Sequence, residues 1–367
     1  MSSNKNFMVQ VFDLVLNGLL SNKKKIFLFF IILLLFNSSG ILAEESVLMY
    51  PSYSYWDESK DFIEFDLHIH VFKKKENSKL RRFFIHNIKK YSGIKNPDIS
   101  GDLFKERMHW FLIDNSRLKY LKAKIRDKEF KLNRTRSNGH SHTLIQIPRS
   151  WISPEELENG FLKVEINHPK FSEGKVYLIQ KNSICLISDL DDTIKFSDVR
   201  NKKQLMKNSF FLPFQKINGM EIFYQSLEKE SVRFFYVSAS PWQMYTVLSN
   251  YFKSETFPEG VYLMKNFRFK DRDFFNIFSS PDKYKFRTIE KIFKSLPDNK
   301  FILVGDNGEK DPEAYADLAK KYPNQVHKIL IRKAYPDDPA NRLDEVFSDL
   351  PESIHQVFSE PSEIRIR

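Results

Sequence analysis

The chain has 367 residues, with 58 lysines and arginines against 47 aspartates and glutamates, so its formal net charge is +11. This length is sufficient for two domains. The charge favours anionic partners, but the chain has no zinc-finger spacing, RNA-recognition signature or basic zipper, and we expect no nucleic-acid partner. The single cysteine, Cys185, excludes an internal disulfide, and we expect it to be a small buried hydrophobe in a strand.

Residues 1–43 have the pattern of a secretory signal. Three lysines at 23–25 precede an unbroken apolar run from Ile26 to Phe36, and Ala43 is a small residue at a cleavage position. The run is too short for a comfortable membrane span of about 20 apolar residues. We therefore favour a cleaved signal peptide over an uncleaved N-terminal anchor. Both a cleaved signal and an uncleaved anchor predict that the protein is exported and is periplasmic or associated with the cell envelope.

Residues 44–180 are predicted to form a β-rich domain. Apolar residues alternate with polar ones from Ile63 to Val71, a period of two that is typical of a half-buried strand. Further candidate strands cover 143–147, 161–166 and 176–180. Their spacing predicts an antiparallel sandwich or barrel. The sequence does not assign this domain a partner, and a protein partner or the membrane both remain open.

Two pairs of histidines lie on predicted strands of this domain: His68 with His70, and His140 with His142. Paired histidines can ligate a metal. No aspartate, glutamate or cysteine accompanies them at ligand spacing, so we interpret them as the polar face of a half-exposed strand.

Residues 181–340 alternate strands and helices, as a doubly wound parallel sheet does. The first strand, Ile184 to Ile187, ends directly in three carboxylates and a hydroxyl, Asp189, Asp191, Asp192 and Thr193. Such like charges repel one another, and a divalent cation with hard oxygen ligands such as Mg²⁺ relieves the repulsion. Ligands of open α/β sheets bind beyond the carboxyl ends of the strands, which indicates metal-assisted chemistry on an anionic substrate.

A second parallel strand is predicted at 232–237, after a helix at 219–227. It ends in Ser238, whose hydroxyl could hold a phosphoryl oxygen, and Pro241 suits the first turn of a following helix. Serine is also an ordinary helix cap, so this signal is weak alone.

Residues 253–284 are predicted to be irregular, with cations interleaved among phenylalanines. This pattern fits either contact with a lipid headgroup layer or a core-packing connection, and the sequence does not separate the two. A helix then runs to about Leu296, and Lys283 and Lys285 compete near its start for the role of a cation beside the phosphoryl group. The last segment, 341–367, is predicted to be a short helix and a polar tail.

The strand beginning at Phe301 again ends in a carboxylate, Asp306, between Gly305 and Gly308, which allow a tight turn. Asp311 precedes Pro312 and fits equally well as a helix N-cap. Asp306 has no such structural explanation.

The string DLDDT from Asp189 resembles the first motif of the haloacid dehalogenase superfamily of phosphatases. The longer strings DLDDTIKFSDV and YVSASPWQ, the latter with Ser238 as the motif II hydroxyl, resemble the actin-patch-associated phosphatidate phosphatases and their bacterial relatives, which share chemistry with lipins. The apolar spacing from Lys285 to Leu296 and Pro297 matches the family's third motif better than the spacing from Lys283 does. Lys285 is therefore the predicted lysine of that motif. The string from Gly305 to Asp311 resembles the fourth motif, except that Asn307 stands where relatives usually have serine.

The resemblance implies a two-step hydrolysis with Mg²⁺ as cofactor. Asp189 is the nucleophile and Asp191 the general acid and base, with a pKa that we expect burial to raise. The metal ligands are Asp189, Asp306 and the backbone carbonyl of Asp191, with Asp311 acting indirectly. The remaining assignments are phosphate binding by Ser238 and Lys285, a loop role beside the phosphate for Thr193, and a turn cap for Asp192.

The function that the resemblance implies is a phosphatidate phosphatase that releases diacylglycerol, with a phospholipid membrane surface as its partner. One alternative is a phosphatase of the same superfamily that acts on a soluble or protein phosphomonoester. Another is a non-catalytic module that binds lipid or phosphate. The intact pair of Asp189 and Asp191 argues against this module, because binding alone does not need the second acid.

Overall fold

The computed structural model describes residues 45–73, 101–171, 173–266, 284–339 and 341–366. The predicted signal segment, Lys283 and most of the aromatic and basic stretch lie outside these ranges. From Glu45 onward the described residues form one compact unit, and the boundaries at 180 and 340 stay predictions. Within the described ranges, no helix has the length and apolar character that crossing a membrane requires.

The secondary structure of the described residues follows in chain order. The strands are β1 (Glu45–Met49), β2 (Ser52–Trp56), β3 (Phe62–Lys73), β4 (Asp114–Asn115), β5 (Lys122–Ile125), β6 (Lys128–Lys131), β7 (His140–Pro148), β8 (Phe161–Ile166), β9 (Gly174–Gln180), β10 (Ile184–Ser188), β11 (Arg233–Pro241), β12 (Gly260–Lys265), β13 (Lys300–Asp306), β14 (Val326–Arg332) and β15 (His355–Phe358). The α-helices are α1 (Asp102–His109), α2 (Pro154–Asn159), α3 (Lys202–Phe210), α4 (Met220–Lys229), α5 (Tyr245–Ser254), α6 (Tyr284–Ser295), α7 (Asp311–Lys321) and α8 (Arg342–Phe347).

A six-stranded sheet of order β12-β11-β10-β13-β14-β15 forms the centre of the C-terminal part, and its neighbouring strands are all parallel. Each face carries an apolar core. Leu186 of β10 joins the core on one face, which also takes side chains from α3, α4 and α5. Cys185 and Ile187 join the other, with α6 and α7. The predicted α/β class with a parallel sheet is confirmed. Cys185 is buried and its sulfur is free, as expected.

The N-terminal part is β-rich and consists of two sheets. In one, β1, β4 and β7 all pair with β3; the other has the order β2-β9-β8-β5-β6. Side chains from both sheets share one apolar core, for example Phe65 of β3, Ile145 of β7 and Val164 of β8. The period of two along β3 follows from this arrangement, because alternate residues enter the core. Two sheets over one core are typical of a sandwich.

The prediction that 253–284 is irregular is wrong for its first part. The last residues of α5 and the whole of edge strand β12 lie there. Gly260 resembles a turn signal in the sequence. Its role is close packing instead, since a Cβ at this position would lie 2.4 Å from the carbonyl oxygen of Phe234 on β11. The polar tail likewise contains β15, which extends the sheet beside β14.

The interpretation of the histidines as a half-exposed face is wrong for three of the four. His68, His70 and His140 are buried, and His142 is exposed. The outer face of β3 and β7 is covered at this end by aromatic rings, with Trp242 edge-on to His68 at 4.8 Å. The histidine rings stack, His68 on His142 at 4.0 Å and His70 on His140 at 4.2 Å, so the histidines form a packed ladder. Within the described residues, the only group of three side chains that could hold a metal is a set of aspartates elsewhere.

Candidate active site

The carboxyl ends of three adjacent parallel strands bring the predicted site residues together. The amide of Asp189 continues the sheet beyond β10 by donating to the carbonyl of Val304 on β13, at 2.9 Å. Ser238 lies in β11 on one side, and Asp306 ends β13 on the other. Because parallel strands end at one edge, residues more than a hundred positions apart converge here.

Three buried carboxylates, Asp189, Asp306 and Asp311, have oxygens that all lie within 4.8 Å of one another. Burial and mutual repulsion hold the pKa of Asp189 and of Asp306 well above the ordinary range. Oδ2 of Asp311 is buried and has no hydrogen-bond partner among the described residues. An unpaired buried carboxylate oxygen is costly unless a cation satisfies it. The cluster therefore fits a divalent metal with hard oxygen ligands.

Lys285 is the one cation that contacts this cluster among the described residues. Its Nζ lies 3.1 Å from Oδ1 of Asp189 and 3.4 Å from Oε2 of Glu309, and it also pairs with Asp311. Burial alone would lower the pKa of Lys285, but the surrounding carboxylates outweigh it and raise the pKa well above the usual value. The structure thus places Lys285 beside the predicted nucleophile at the start of α6.

Asp191 belongs to a separate network on the other side of the site. Its Oδ1 pairs with Nζ of Lys195 at 2.7 Å and accepts from the Ser197 hydroxyl at 2.6 Å. Its Oδ2 accepts from the hydroxyl of Ser240 at 3.1 Å. Burial favours the neutral acid, but Lys195 and these hydroxyls outweigh it and lower the pKa of Asp191. The expectation of a raised pKa for Asp191 is wrong, because Lys195 was not recognised as a partner whose effect outweighs that of burial.

Asp192 and Thr193 brace the loop between the two networks. The carboxylate of Asp192 accepts backbone N–H groups from Ser197, Asp198 and Val199, at 2.7–2.9 Å. It is therefore a turn cap. The buried hydroxyl of Thr193 donates to Oδ2 of Asp306 at 3.4 Å, which orients a candidate metal ligand, and its predicted part in phosphate binding stays a prediction.

Ser238 is fully buried, and its hydroxyl lies 3.5 Å from Oδ2 of Asp191 and accepts the N–H of Ser240 at 3.0 Å. Ser240 is closer to Asp191 and lines the cavity at this edge of the sheet. This cavity is small, about 10 Å³. Its lining residues are Asp189, Asp191, Val199, Leu205, Ala239, Ser240 and Glu309.

The loop after β13 is held from two sides. The amide of Gly308 donates to Oδ1 of Asp306 at 2.6 Å, and a Cβ at Gly308 would lie 2.6 Å from the same oxygen. The side-chain amide of Asn307 donates from Nδ2 to the backbone carbonyl of Tyr335 at 2.8 Å, and its Oδ1 accepts the backbone N–H of Tyr335 at 2.9 Å. The asparagine that replaces the usual serine therefore ties this loop to the segment after β14.

Sequence reasoning missed four residues of this site: Lys195, Ser197, Ser240 and Glu309. A signal existed for Ser240, since residues two apart on a strand face the same way and Ser238 was already assigned. Lys195 lies inside the string DLDDTIKFSDV, but lysine is rarely buried. Nothing in the spacing of this string predicted that Lys195 would be buried.

Residues 184–333 match the family model of the catalytic domain of phosphatidate phosphatase APP1. The resemblance stated from the motifs is therefore confirmed. The match leaves out the β-rich part and the C-terminal tail.

Two curated relatives align with about half of the chain. Phosphatidate phosphatase APP1 of Saccharomyces cerevisiae is 37% identical over 185 residues, which are 49% of this chain and 30% of that protein. The uncharacterized protein C29B5.04c of Schizosaccharomyces pombe is 30% identical over 169 residues, which are 45% of this chain and 27% of that protein. The chain thus spans under a third of the length of either relative.

Among solved structures, the class C acid phosphatase of Bacillus anthracis aligns with 47% of this chain and 80% of its own, at 14% identity and a TM-score of 0.27. A likeness this distant carries no argument about function.

Proposed function

We propose that this protein is a Mg²⁺-dependent phosphatidate phosphatase that releases diacylglycerol and phosphate. The observation that carries the proposal is the division of the site into two networks. The carboxylate of Asp189 lies with Lys285 and two further aspartates, and Asp191 lies apart with Lys195 and two hydroxyls. This is the arrangement that a nucleophile and a separate proton-transfer group require.

In the first step, a carboxylate oxygen of Asp189 attacks phosphorus as the bond to the leaving oxygen breaks, which leaves an aspartyl-phosphate. Asp191, which the negative charge of the bound phosphate would protonate despite its lowered pKa, gives its proton to the leaving alkoxide. In the second step Asp191 takes a proton from water, which attacks phosphorus and releases phosphate and Asp189. The ion pair with Lys195 favours the ionised form of Asp191, the form that the second step uses.

The buried carboxylates Asp189, Asp306 and Asp311 would hold the Mg²⁺, and the backbone carbonyl of Asp191 stays a predicted ligand. When bound, the ion neutralises charge on the phosphoryl oxygens. Lys285 adds positive charge beside Asp189. Ser238 and Lys285 would bind the phosphoryl group, with Thr193 supporting the site through Asp306.

A lipid substrate is supported by the match of residues 184–333 to the APP1 catalytic domain model, by the motif strings around Asp191 and Ser240 that resemble those of phosphatidate phosphatases, and by the surface next to them. Phe196 is 43% exposed although both of its neighbours in the chain are buried against Asp191. Lys202 and Lys203 are exposed in the first turn of α3, the helix whose Leu205 lines the cavity. An aromatic ring and cations beside the site suit an anionic lipid surface.

Two further assignments belong to the same proposal, and two alternatives compete with it. The parallel sheet is a Rossmann-like sheet of the haloacid dehalogenase type, with the β-rich part as a separate domain. The protein is exported and acts at the periplasmic face or another envelope surface. The alternative substrate is a soluble or protein phosphomonoester, and the alternative without catalysis is a lipid- or phosphate-binding module.

The test measures phosphate release by the purified full chain from phosphatidate in mixed micelles and from a panel of soluble phosphates, with Mg²⁺ or with EDTA. We expect release from phosphatidate that needs Mg²⁺ and falls by about 10²–10⁴-fold in Asp191→Asn, the usual contribution of a general acid. Release from the panel without release from lipid would leave the mechanism and remove the lipid assignment. A folded protein that binds Mg²⁺ and releases nothing would favour the binding module.

A further inference from the structure

Arg107 is a buried cation outside the range that matches the phosphatase family. It lies on α1, between β3 and β4 of the β-rich part, and only 2% of it is exposed. Its Nη1 donates to three carbonyls at the end of α3, those of Asn208 at 3.3 Å, Ser209 at 3.1 Å and Leu212 at 2.7 Å. The last carbonyls of a helix have no partner within it, so Arg107 satisfies the end of a helix that belongs to the phosphatase part.

Two routes of contact lead from this point to Asp191. In the first, the Arg107 guanidinium lies 3.6 Å from the ring centroid of Phe214, and Nζ of Lys195 lies 5.3 Å from the same centroid. Lys195 then pairs with Asp191 at 2.7 Å. Each cation is attracted to the face of the ring, so the Phe214 side chain links the positions of Arg107 and Lys195.

The second route runs through Asn208, whose backbone carbonyl accepts from Arg107. The side-chain amide of Asn208 donates to the carbonyl of Ser197 at 2.9 Å. The hydroxyl of Ser197 donates to Asp191 at 2.6 Å. Arg107 therefore supports both groups that hold Oδ1 of the proton-transfer carboxylate.

We propose that Arg107 is a positioning residue for Asp191, and hence that α1 completes the active site of the phosphatase part. This helix precedes the matched range in the chain, but it packs into the apolar core of the phosphatase part through Phe104 and Met108. The expected change in kcat rests on the proposed function, but the expected change in hydrogen exchange near Asp191 does not. Arg107 is not needed merely to dock α1 against α3. The ring of Phe104 on α1 already stacks on that of Phe211, directly after α3, with ring centroids 4.7 Å apart.

The experiment compares Arg107→Met with the unchanged full chain, and with Arg149→Met as a matched control. Arg149 lies in the β-rich part and makes the same kinds of contact, donating to the carbonyl of Lys60 at 3.0 Å and lying 5.7 Å from the Trp56 ring. Neither contact leads to Asp191. The measurements are kcat and KM for phosphate release with Mg²⁺, and hydrogen exchange of the amides of 197–199, which Asp192 holds.

We expect kcat to fall by about ten- to hundredfold in Arg107→Met with little change in KM, the usual effect of losing a group that orients a reacting side chain. Exchange at 197–199 should become faster, and Arg149→Met should match the unchanged chain in both measurements. A folded Arg107→Met with unchanged kcat and exchange would overturn the proposal, as would an equal loss in Arg149→Met.

Two further outcomes remain decisive. If the unchanged chain releases no phosphate, the proposed function fails, and exchange at 197–199 alone decides the positioning role. If Arg107→Met does not fold, Phe214→Leu replaces it, because that substitution removes the ring between the two cations and leaves the bonds to the helix carbonyls in place. Asn208→Ala accompanies it, because this substitution removes the side-chain amide of the second route. Normal kcat and normal exchange in both variants would then contradict both routes and with them the proposal.

Discussion

At the scale of single residues, the electrostatics of the site depend on which lysine each aspartate pairs with. Lys285 pairs with Asp189, and Lys195 with Asp191. Both lysines are nearly fully buried, and a buried ion stays charged only when it is paired. The two pairs therefore give two aspartates that are close in sequence different electrostatic surroundings, which suits the different roles proposed for them.

The pair of Lys195 and Asp191 leads to a first prediction on stability. In Lys195→Met the Asp191 carboxylate stays buried without its cation, so the free energy of unfolding should fall by about 3–5 kcal/mol, as for other broken buried pairs. Adding Asp191→Asn removes the orphaned charge and should restore part of the loss. Urea unfolding of the two single variants and the double variant measures this coupling. Additive losses would mean that the two side chains do not interact.

The same residues mark the limit of the sequence at this scale. Asp189, Asp306 and Asp311 could be grouped because each follows an apolar strand or opens a helix, and such positions meet at one edge of a parallel sheet. Lys195 could not, because its role depends on burial, although its partner Asp191 is only four residues away. Arg107 could not, because its contacts span up to 105 positions in the chain. No local pattern encodes such contacts.

At the scale of elements, the histidine ladder on β3 and β7 couples the fold to pH. The rings of His70 and His140 stack at 4.2 Å, and His68 shares a 2.8 Å hydrogen bond with His140. Burial lowers the pKa of His70 to about 4 and of His140 to about 2. For each, the unfolded chain binds a proton near pH 6.5 and the folded chain does not.

We therefore predict that stability falls on acidification below pH 6.5, by up to about 1.4 kcal/mol per pH unit for each buried histidine. The loss should continue down to about pH 4, where the folded form of His70 also takes up its proton. Urea unfolding at pH 7 and pH 5 measures the difference, and His70→Gln should reduce it. His168→Gln serves as the control, since that residue is more exposed and lies off the ladder. An unfolding free energy that is equal at both pH values would contradict the prediction.

Elements with strong periodicity were predictable and those without it were not. The alternation from Ile63 to Val71 gave β3, and the apolar run before Asp189 gave β10. The edge strand β12 was missed because its glycine resembles a turn, and β15 because a four-residue strand in a polar tail has too few residues to show a period. The outer face of β3 was misjudged because its cover, Trp242, comes from another part of the chain.

At the scale of the whole molecule, α1 ties an early segment of the chain to α3, because both helices share one apolar core. Under the proposed function, the surface beside the site is where the protein would meet a membrane. Phe196 lies on the connection between Asp191 and α3, and Lys202 and Lys203 open that helix. Cations in the first turn of a helix oppose its dipole, so this placement has a local cost that an anionic partner would offset.

The last prediction concerns this surface. Phe196→Ser should weaken binding of the full chain to vesicles of phosphatidate and phosphatidylcholine by about tenfold, because burying an exposed phenylalanine contributes roughly 1.5–3 kcal/mol. Replacing Lys202 and Lys203 by glutamate should weaken vesicle binding further, since each cation near an anionic surface contributes about 1 kcal/mol. Added salt should reduce this further loss.

Ile222→Ser is the matched control, because Ile222 is 67% exposed on α4, outside the connection that carries Phe196. Vesicle flotation gives the bound fraction. If Ile222→Ser weakens binding as much as Phe196→Ser, the contact is a general apolar one. If neither does and phosphatidate is still hydrolysed, the membrane meets a different face, and Phe196 is exposed for another reason.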